Sequence, residues 1–226
     1  MDYTSIVNSD FFASTMIDVM SPIQLYHLRC LSKFINTYIT IKNINDKIIL
    51  NLQNRLQYEL GNDYDKIIKI ITNRNVTIYG PIVTESIWEE YHKDTYIDLR
   101  LTNEDMTFYD NIFTDLIQIY PISPYLYHEF SNWFSHGNDL TTIINKIRLY
   151  MTLSETDWYD DCDSHYETFP ILFQNKITID NTGKWLLTIT NLKAVMHKKY
   201  VKSDYYHSYD FKNQETEEAL CSKYNL

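Results

Sequence analysis

The sequence predicts an α+β fold, with a small helical N-terminal segment followed by a mixed sheet that is flanked by helices. Apolar residues recur at spacings of three and four over 9–72 and 103–120, as they do along one face of an α-helix. Runs at 76–80, 95–101 and 169–190 are rich in β-branched residues or alternate with a period of two, which is typical of strands. Only 4 Gly and 5 Pro occur in 226 residues, so no long flexible linker is expected.

The composition is that of an ordinary globular protein, with 44% hydrophobic and 22% charged residues. Its apolar runs are broken by Lys, Asp or Asn well before the roughly 20 residues that a membrane span requires. Cys30, Cys162 and Cys221 are odd in number and far apart, which predicts reduced thiols rather than a disulfide framework. We therefore expect an intracellular protein without membrane association.

A formal net charge of −10 argues against nucleic acid as a partner. Each phosphate contact needs a cation, and the average field of an acidic protein repels the polymer.

The first helical signal lies at residues 9–41. Ser21 is a predicted N-cap because it precedes Pro22, and proline is favoured in the first turn of a helix. The apolar stripe of this segment consists of Leu25, Leu28, Leu31, Phe34, Ile35, Tyr38 and Ile39. Short helices cannot bury such a stripe by themselves, so we expect it to pack on the following domain or on a partner.

The same run, PIQLYHLRCLSKFINTYI, resembles the second half of an F-box. The matching positions are Pro22, Leu25, Leu28, Arg29, Cys30, Lys33 and Phe34. Phe11 and Phe12 stand where the family has an opening Leu-Pro. The resemblance implies that residues 1–45 dock onto a Skp1-like adaptor of a ubiquitin ligase, through Pro22, Leu25, Leu28, Lys33 and Phe34. A pair of amphipathic core helices is the alternative.

Further helices are predicted as scaffold. Residues 45–72 indicate a longer and a shorter helix, separated at 61–63. Residues 103–120 carry acidic residues in the first turn and a broad apolar face behind them. Residues 139–153 are assigned to another helix, whose inward positions are Ile143, Ile144, Ile147 and Tyr150 or Met151.

Residues 75–101 predict a strand, a helix beginning at Pro81 and a second strand. In the second strand, Tyr96, Asp98 and Arg100 share one face, and the aliphatic residues share the other. Asp98 is therefore expected to lie on the face opposite the aliphatic core.

This frame, together with residues 169–200, resembles the nucleotidyltransferase-like proteins of giant DNA viruses, in which a short F-box-like N-terminus often precedes such a domain. The resemblance implies a domain at 46–210, followed by a polar tail at 211–226. An unrelated α+β domain with a coincidental strand, helix and strand is the alternative.

The nucleotidyltransferase site needs two carboxylates at i and i+2, which hold two divalent metal ions. Here Tyr96 and Arg100 flank a lone Asp98, and the expected small polar residue after Gly80 is Pro81. The later positions Pro170, Leu172 and Gln174, where that family can supply a third acid, are not acidic either. These departures predict a degenerate domain with no catalytic residue, no metal and no cofactor.

Two charged segments remain. The acidic run at 155–167 is interpreted as a solvated loop, because it lacks the spacing of a calcium-binding loop. After a hairpin that turns at 181–183, a short helix carries a concentrated basic patch. The candidates for phosphate binding are Gly80, Lys198, Lys199 and Lys202, with a solvated helix end as the alternative.

The leading prediction is a non-catalytic interaction or adaptor protein of a large DNA virus, located in the host cytoplasm or viral factory. One alternative is an active magnesium-dependent nucleotidyltransferase that uses Asp98 with a carboxylate from Glu85, Glu89 or 155–167. Another is a structural component of the virion, and the sequence does not separate this from the leading prediction.

Overall fold

The computed structural model describes residues 9–31, 33–101, 106–121, 139–152, 175–189 and 191–198, which form an α+β fold of helices on a mixed sheet. The helices are α1 (Ser9–Val19), α2 (Pro22–Leu31), α3 (Lys33–Tyr38), α4 (Ile41–Leu60), α5 (Tyr64–Asn73), α6 (Pro81–Trp88), α7 (Met106–Ile119) and α8 (Leu192–Met196). The strands are β1 (Thr77–Tyr79), β2 (Ile97–Leu101), β3 (Asp139–Ile144), β4 (Ile147–Thr152), β5 (Lys176–Ile179) and β6 (Trp185–Thr188). A single turn of 3₁₀-helix, Gly61–Asp63, joins α4 to α5.

The six strands lie in the order β3-β4-β2-β1-β5-β6. β2 and β4 run parallel, and the other neighbouring pairs are antiparallel. The register places two rows of residues across the four central strands, one on each face. The row on the core face is Leu149, Leu99, Ile78 and Ile177, and the row on the second face is Arg148, Asp98, Tyr79 and Lys176.

The larger hydrophobic cluster lies on the core face of the sheet, under α4, α5 and α7. Every residue of the central row on this face is fully buried. Helix α4 contributes Leu52, Leu56 and Leu60 at a spacing of four, which is one face of a helix. Burial of each such side chain contributes about 1.5–3 kcal/mol, so this layer supplies most of the apolar stabilisation of the sheet.

A second hydrophobic cluster joins the N-terminal helices to the rest of the chain. It combines Leu25 of α2 with residues of α4, with Ile87 and Trp88 of α6 and with Val195 of α8. The Trp88 indole N–H donates to the Val195 carbonyl at 2.9 Å. Part of the N-terminal apolar stripe, including Leu25 and Ile39, thus packs on later parts of the chain. The boundary predicted at residue 45 falls inside α4.

Most predicted elements are present. Strand β1, helix α6 and strand β2 follow one another as predicted, and Ser21 caps α2 by accepting from the Gln24 N–H at 3.2 Å. The predicted hairpin at the end of the sheet is formed by β5 and β6. In the part of the chain that is described, no helix combines the length and the apolarity needed to cross a membrane.

The prediction of a helix at 139–153 is wrong, because residues 139–152 form the antiparallel hairpin of β3 and β4. Asn145 and Lys146 make a two-residue turn between the paired Ile144 and Ile147. Asn145 has φ of 56°, in the left-handed region that asparagine tolerates better than most residues. The apolar spacing that suggested a helix arises because two strands with a period of two meet at this turn.

Candidate functional site

Asp98 lies in the middle of β2, on the face opposite the aliphatic core, as predicted. Its neighbours on that face are Tyr79 of β1 and Arg148 of β4. The Asp98 side chain is only 2% exposed. A buried carboxylate needs a positive or hydrogen-bonding partner, and this one has a cation directly beside it.

Arg148 binds both carboxylate oxygens of Asp98. Its Nε donates to Oδ1 at 2.7 Å, and its terminal nitrogen donates to Oδ2 at 2.8 Å. The guanidinium also lies over the Tyr96 ring, 5.2 Å from the ring centroid. Bidentate pairing fixes the orientation of the carboxylate and engages the oxygens that a metal ion would need. Both oxygens of the Asp98 carboxylate are therefore engaged within the chain.

Two opposing effects act on the Asp98 carboxyl. Burial raises its pKa above the ordinary value, and the hydrogen bonds and positive charge of Arg148 act in the opposite direction. The ion pair therefore stabilises the charged carboxylate in a position that would otherwise favour the protonated acid.

The carboxylates suggested as second metal ligands have partners of their own. Glu85 is fully buried in α6, where Oε1 accepts from the Thr95 hydroxyl at 2.5 Å and Oε2 accepts from the His92 N–H at 3.3 Å. Glu89 accepts from the Asn51 amide at 2.9 Å. Within the described residues, no group of three or more His, Cys, Asp or Glu side chains has a metal-binding arrangement. The acidic run at 155–167 lies outside the described residues.

Gly80 lies at the start of α6, with φ of 78°. Its N–H donates to the Asn175 carbonyl at 3.0 Å. The Asn175 amide in turn donates to the Thr84 hydroxyl at 2.9 Å, and both side chains are fully buried. These contacts join the start of α6 to the start of β5. The Gly80 N–H, the group that would contact a phosphate, is thus engaged within the chain.

Lys198 lies near the opposite end of α6. It forms an ion pair with Glu90, and its ammonium lies 5.3 Å from the ring centroid of Trp88, the last residue of the helix. Since α6 has eight residues, its two ends are about 12 Å apart. Gly80 and Lys198 therefore do not form one phosphate site. Lys199 and Lys202 lie outside the described residues.

The residues assigned to partner docking divide into buried and exposed groups. Pro22 and Leu25 are buried within this chain, and Leu28 is half-buried. Lys33 is exposed, and Phe34 is 50% exposed. The predicted docking set thus includes residues that the chain itself covers.

Val19 and Leu31, which are 72% and 75% exposed, are the most exposed apolar residues of the N-terminal helices described. Leu31 belongs to the apolar stripe that the sequence indicates, but the docking set omitted it. Nothing in the local sequence pattern predicts that Val19 is exposed. Together with Lys33 and Phe34, these residues make up the exposed docking set of α1–α3.

A further polar network was not predicted. Three α4 residues at a spacing of four, Asn51, Arg55 and Glu59, face the segment 89–96 and the β3–β4 turn. Arg55 donates to the His92 carbonyl at 2.8 Å and pairs with Glu59 at 2.6 Å, while Glu59 also pairs with Lys146. The spacing of Asn51, Arg55 and Glu59 shows in the sequence that they share one face of α4. Their partners in segment 89–96 and in the β3–β4 turn, however, lie 37 to 87 residues later in sequence.

The chain was compared with protein-family models, with characterised proteins and with solved structures, and none of the three comparisons finds a match. Function is therefore inferred from side-chain geometry, chiefly the engaged carboxylate of Asp98 and the exposed docking set of α1–α3.

Proposed function

We propose that this chain is a non-catalytic interaction protein of a large DNA virus, acting in the host cytoplasm or viral factory. Its N-terminal helices dock a protein partner, and its nucleotidyltransferase-like α+β part supplies a second binding surface. The observation that carries the proposal is the bidentate pairing of Asp98 with Arg148.

Two-metal catalysis requires carboxylates that hold metal ions about 4 Å apart. Asp98 offers one buried carboxylate, and both of its oxygens accept from Arg148. A metal ion at this position would have to displace a guanidinium and would then lie beside an uncompensated cation. The pairing supports a structural role for Asp98.

The docking half of the proposal rests on exposure and on the F-box resemblance. Leu31 is 75% exposed and Phe34 is 50% exposed. The exposed cationic residue Lys33 lies between them in sequence. Apolar and cationic groups side by side suit a partner with an apolar groove and an acidic rim. The partner we propose is a Skp1-like adaptor.

The non-catalytic half is tested by incubating the full chain with each labelled nucleoside triphosphate, with Mg²⁺ or Mn²⁺, beside an Asp98→Asn variant whose fold is checked by circular dichroism. We expect no nucleotide transfer from either protein. Transfer by the wild-type chain that is lost in Asp98→Asn would show an active nucleotidyltransferase instead.

The docking half is tested by titrating a purified Skp1-like adaptor into the full chain in a calorimeter. We expect micromolar binding that Leu31→Ala and Phe34→Ala weaken. Tyr58→Ala is the matched control, because Tyr58 is 80% exposed on α4 and lies outside the docking set. Leu25→Ala is unsuitable, because it would create a cavity in the second cluster.

Absence of binding at micromolar concentration, or an equal loss from Tyr58→Ala, would remove the adaptor from the proposal. A stable oligomer that copurifies with virus particles would instead favour a structural virion component.

A further inference from the structure

Two histidine rings meet at the surface where the N-terminal helices contact the end of the described chain. The ring centroids of His27 and His197 are 5.0 Å apart, and the ring planes make an angle of 30°. His27 lies within α2, and His197 directly follows α8. Both residues are exposed, so their rings are open to solvent.

The backbone under both rings is held in place by the hydrophobic core. Leu25, two residues before His27, and Met196, next to His197, are fully buried in the second cluster. The His197 N–H also donates to the Lys193 carbonyl at 3.2 Å. The two histidines are therefore presented from packed elements rather than from free loops, which favours a preorganised site.

The separation of the rings matches that of two imidazoles on one metal ion. With a metal–nitrogen distance of about 2.0–2.1 Å, each ring centroid lies about 3.2 Å from the metal, and a tetrahedral angle separates the centroids by about 5.2 Å. The observed separation is 5.0 Å. Ring pairs also pack at about 4.5–7 Å without a metal, so metal titration is what distinguishes the two arrangements.

From this geometry we infer that His27 and His197 together bind a divalent transition-metal ion of the zinc or nickel class. Neutral imidazole is a preferred ligand of these ions, whereas Mg²⁺ prefers oxygen ligands. Because both rings are exposed, water would complete the coordination shell. The bound ion would link α2, which carries part of the docking segment, to the end of α8.

The neighbouring groups define the controls. Tyr26 lies 6.0 Å from each ring, centroid to centroid. Cys30 is exposed on α2, three residues after His27, and its thiol is an alternative ligand for the same metals. Lys198 follows His197, but its ammonium pairs with Glu90 and lies over Trp88. Metal binding by Cys30→Ser, compared with the wild type, therefore shows whether the Cys30 thiol is a ligand.

The test is calorimetric titration of the metal-stripped full chain with ZnCl₂ and NiCl₂, and with MgCl₂ as the ion control. The proteins are the wild type, His27→Ala, His197→Ala, the double variant and Cys30→Ser. Circular dichroism verifies that each variant is folded, which is expected because these side chains are exposed.

We expect one equivalent of Zn²⁺ or Ni²⁺ to bind the wild type and Cys30→Ser equally. Either single histidine variant should lose affinity on the order of 100-fold, because a chelate that loses one donor keeps the affinity of a single imidazole. The double variant retains neither imidazole, so it should bind Zn²⁺ and Ni²⁺ more weakly than either single variant.

Three results would overturn the inference: no wild-type binding at millimolar metal, equal binding of Mg²⁺, or a single histidine variant that binds as tightly as the wild type. Loss of binding in Cys30→Ser would assign the metal to a thiol site and would overturn it as well. None of these outcomes depends on whether the chain transfers nucleotides or docks an adaptor.

Discussion

Arg148 and Asp98 lie directly opposite each other on the parallel strands β4 and β2, and the guanidinium contacts both carboxylate oxygens at 2.7 and 2.8 Å. The pair lies on the second face of the sheet, and the carboxylate is only 2% exposed. Its contribution to folding can be measured separately from any question of activity.

Removing Arg148 should destabilise the chain. Arg148→Met leaves a carboxylate buried without its cation, and we expect the free energy of unfolding to fall by about 3 kcal/mol. Urea denaturation measures this change. Lys42→Met is the control, because the Lys42–Asp46 pair is exposed and should contribute no more than about 0.5 kcal/mol. An Arg148→Met midpoint equal to that of the wild type would contradict a stabilising role for the pair.

The destabilisation in Arg148→Met should depend on pH. Burial raises the Asp98 pKa, and removal of Arg148 removes the groups that oppose this shift. The folded variant then binds a proton more readily than the unfolded chain. The part of the loss that comes from charging the buried carboxyl is therefore present above the raised pKa, and it disappears as pH falls below the ordinary pKa of 3.8. The difference between wild type and variant should shrink as pH falls towards 3.8 in urea denaturation series. A constant difference would contradict this linkage.

Arg55→Met should loosen residues 89–96. The substitution removes the hydrogen bond to the His92 carbonyl, the cation–π contact with Tyr91 and the pairing with Glu59. We expect a loss of about 1–3 kcal/mol, because the half-buried His92 carbonyl and the buried Glu59 carboxylate each lose a donor. Hydrogen exchange should increase more at 89–96 than in α4. An equal increase in both would indicate general destabilisation instead.

The β3–β4 turn should be sensitive to the residue at 145. Asn145 has φ of 56°, so Asn145→Val should cost about 1–3 kcal/mol in backbone strain. Asn145→Gly is the control, because glycine accepts this φ but loses the hydrogen bond between Asn145 and Tyr120. Thermal unfolding should rank the proteins as wild type, Gly and Val in decreasing stability. A valine variant as stable as the glycine variant would show that the turn adapts without strain.

Local patterns predicted the elements whose signals lie within a few residues. Strand β1 is a β-branched run that stops at Gly80, and α6 begins at Pro81. The hairpin of β5 and β6 was evident from alternation on both sides of its turn residues. In each case propensity and hydrophobic period indicated the same structure.

The β3–β4 hairpin was mistaken for a helix because Ile143, Ile144 and Ile147 also satisfy helical spacing. The turn pair Asn145-Lys146 and the β-branched residues before it are typical of a hairpin, but the same residues also fit helical spacing. A helix at 139–153 does not place Arg148 on a strand beside Asp98.

The pairings that define the candidate site were not accessible from the sequence, because they depend on which strands become neighbours. Arg148 follows Asp98 by 50 residues, and Lys146 follows Glu59 by 87. Periodicity specifies which face a side chain occupies, but it does not specify the partner across the sheet. The sequence therefore indicated that Asp98 lacks a second carboxylate without revealing what accompanies it.

The second cluster has a consequence for synthesis of the chain on the ribosome. Leu25 and Ile44 are covered in part by Val195 and Met196, which are translated roughly 150 residues later. Until that segment emerges, the apolar stripe of the N-terminal helices lacks part of its cover and is available to chaperones or to other nascent chains. These helices therefore complete their packing only after α8 has been translated.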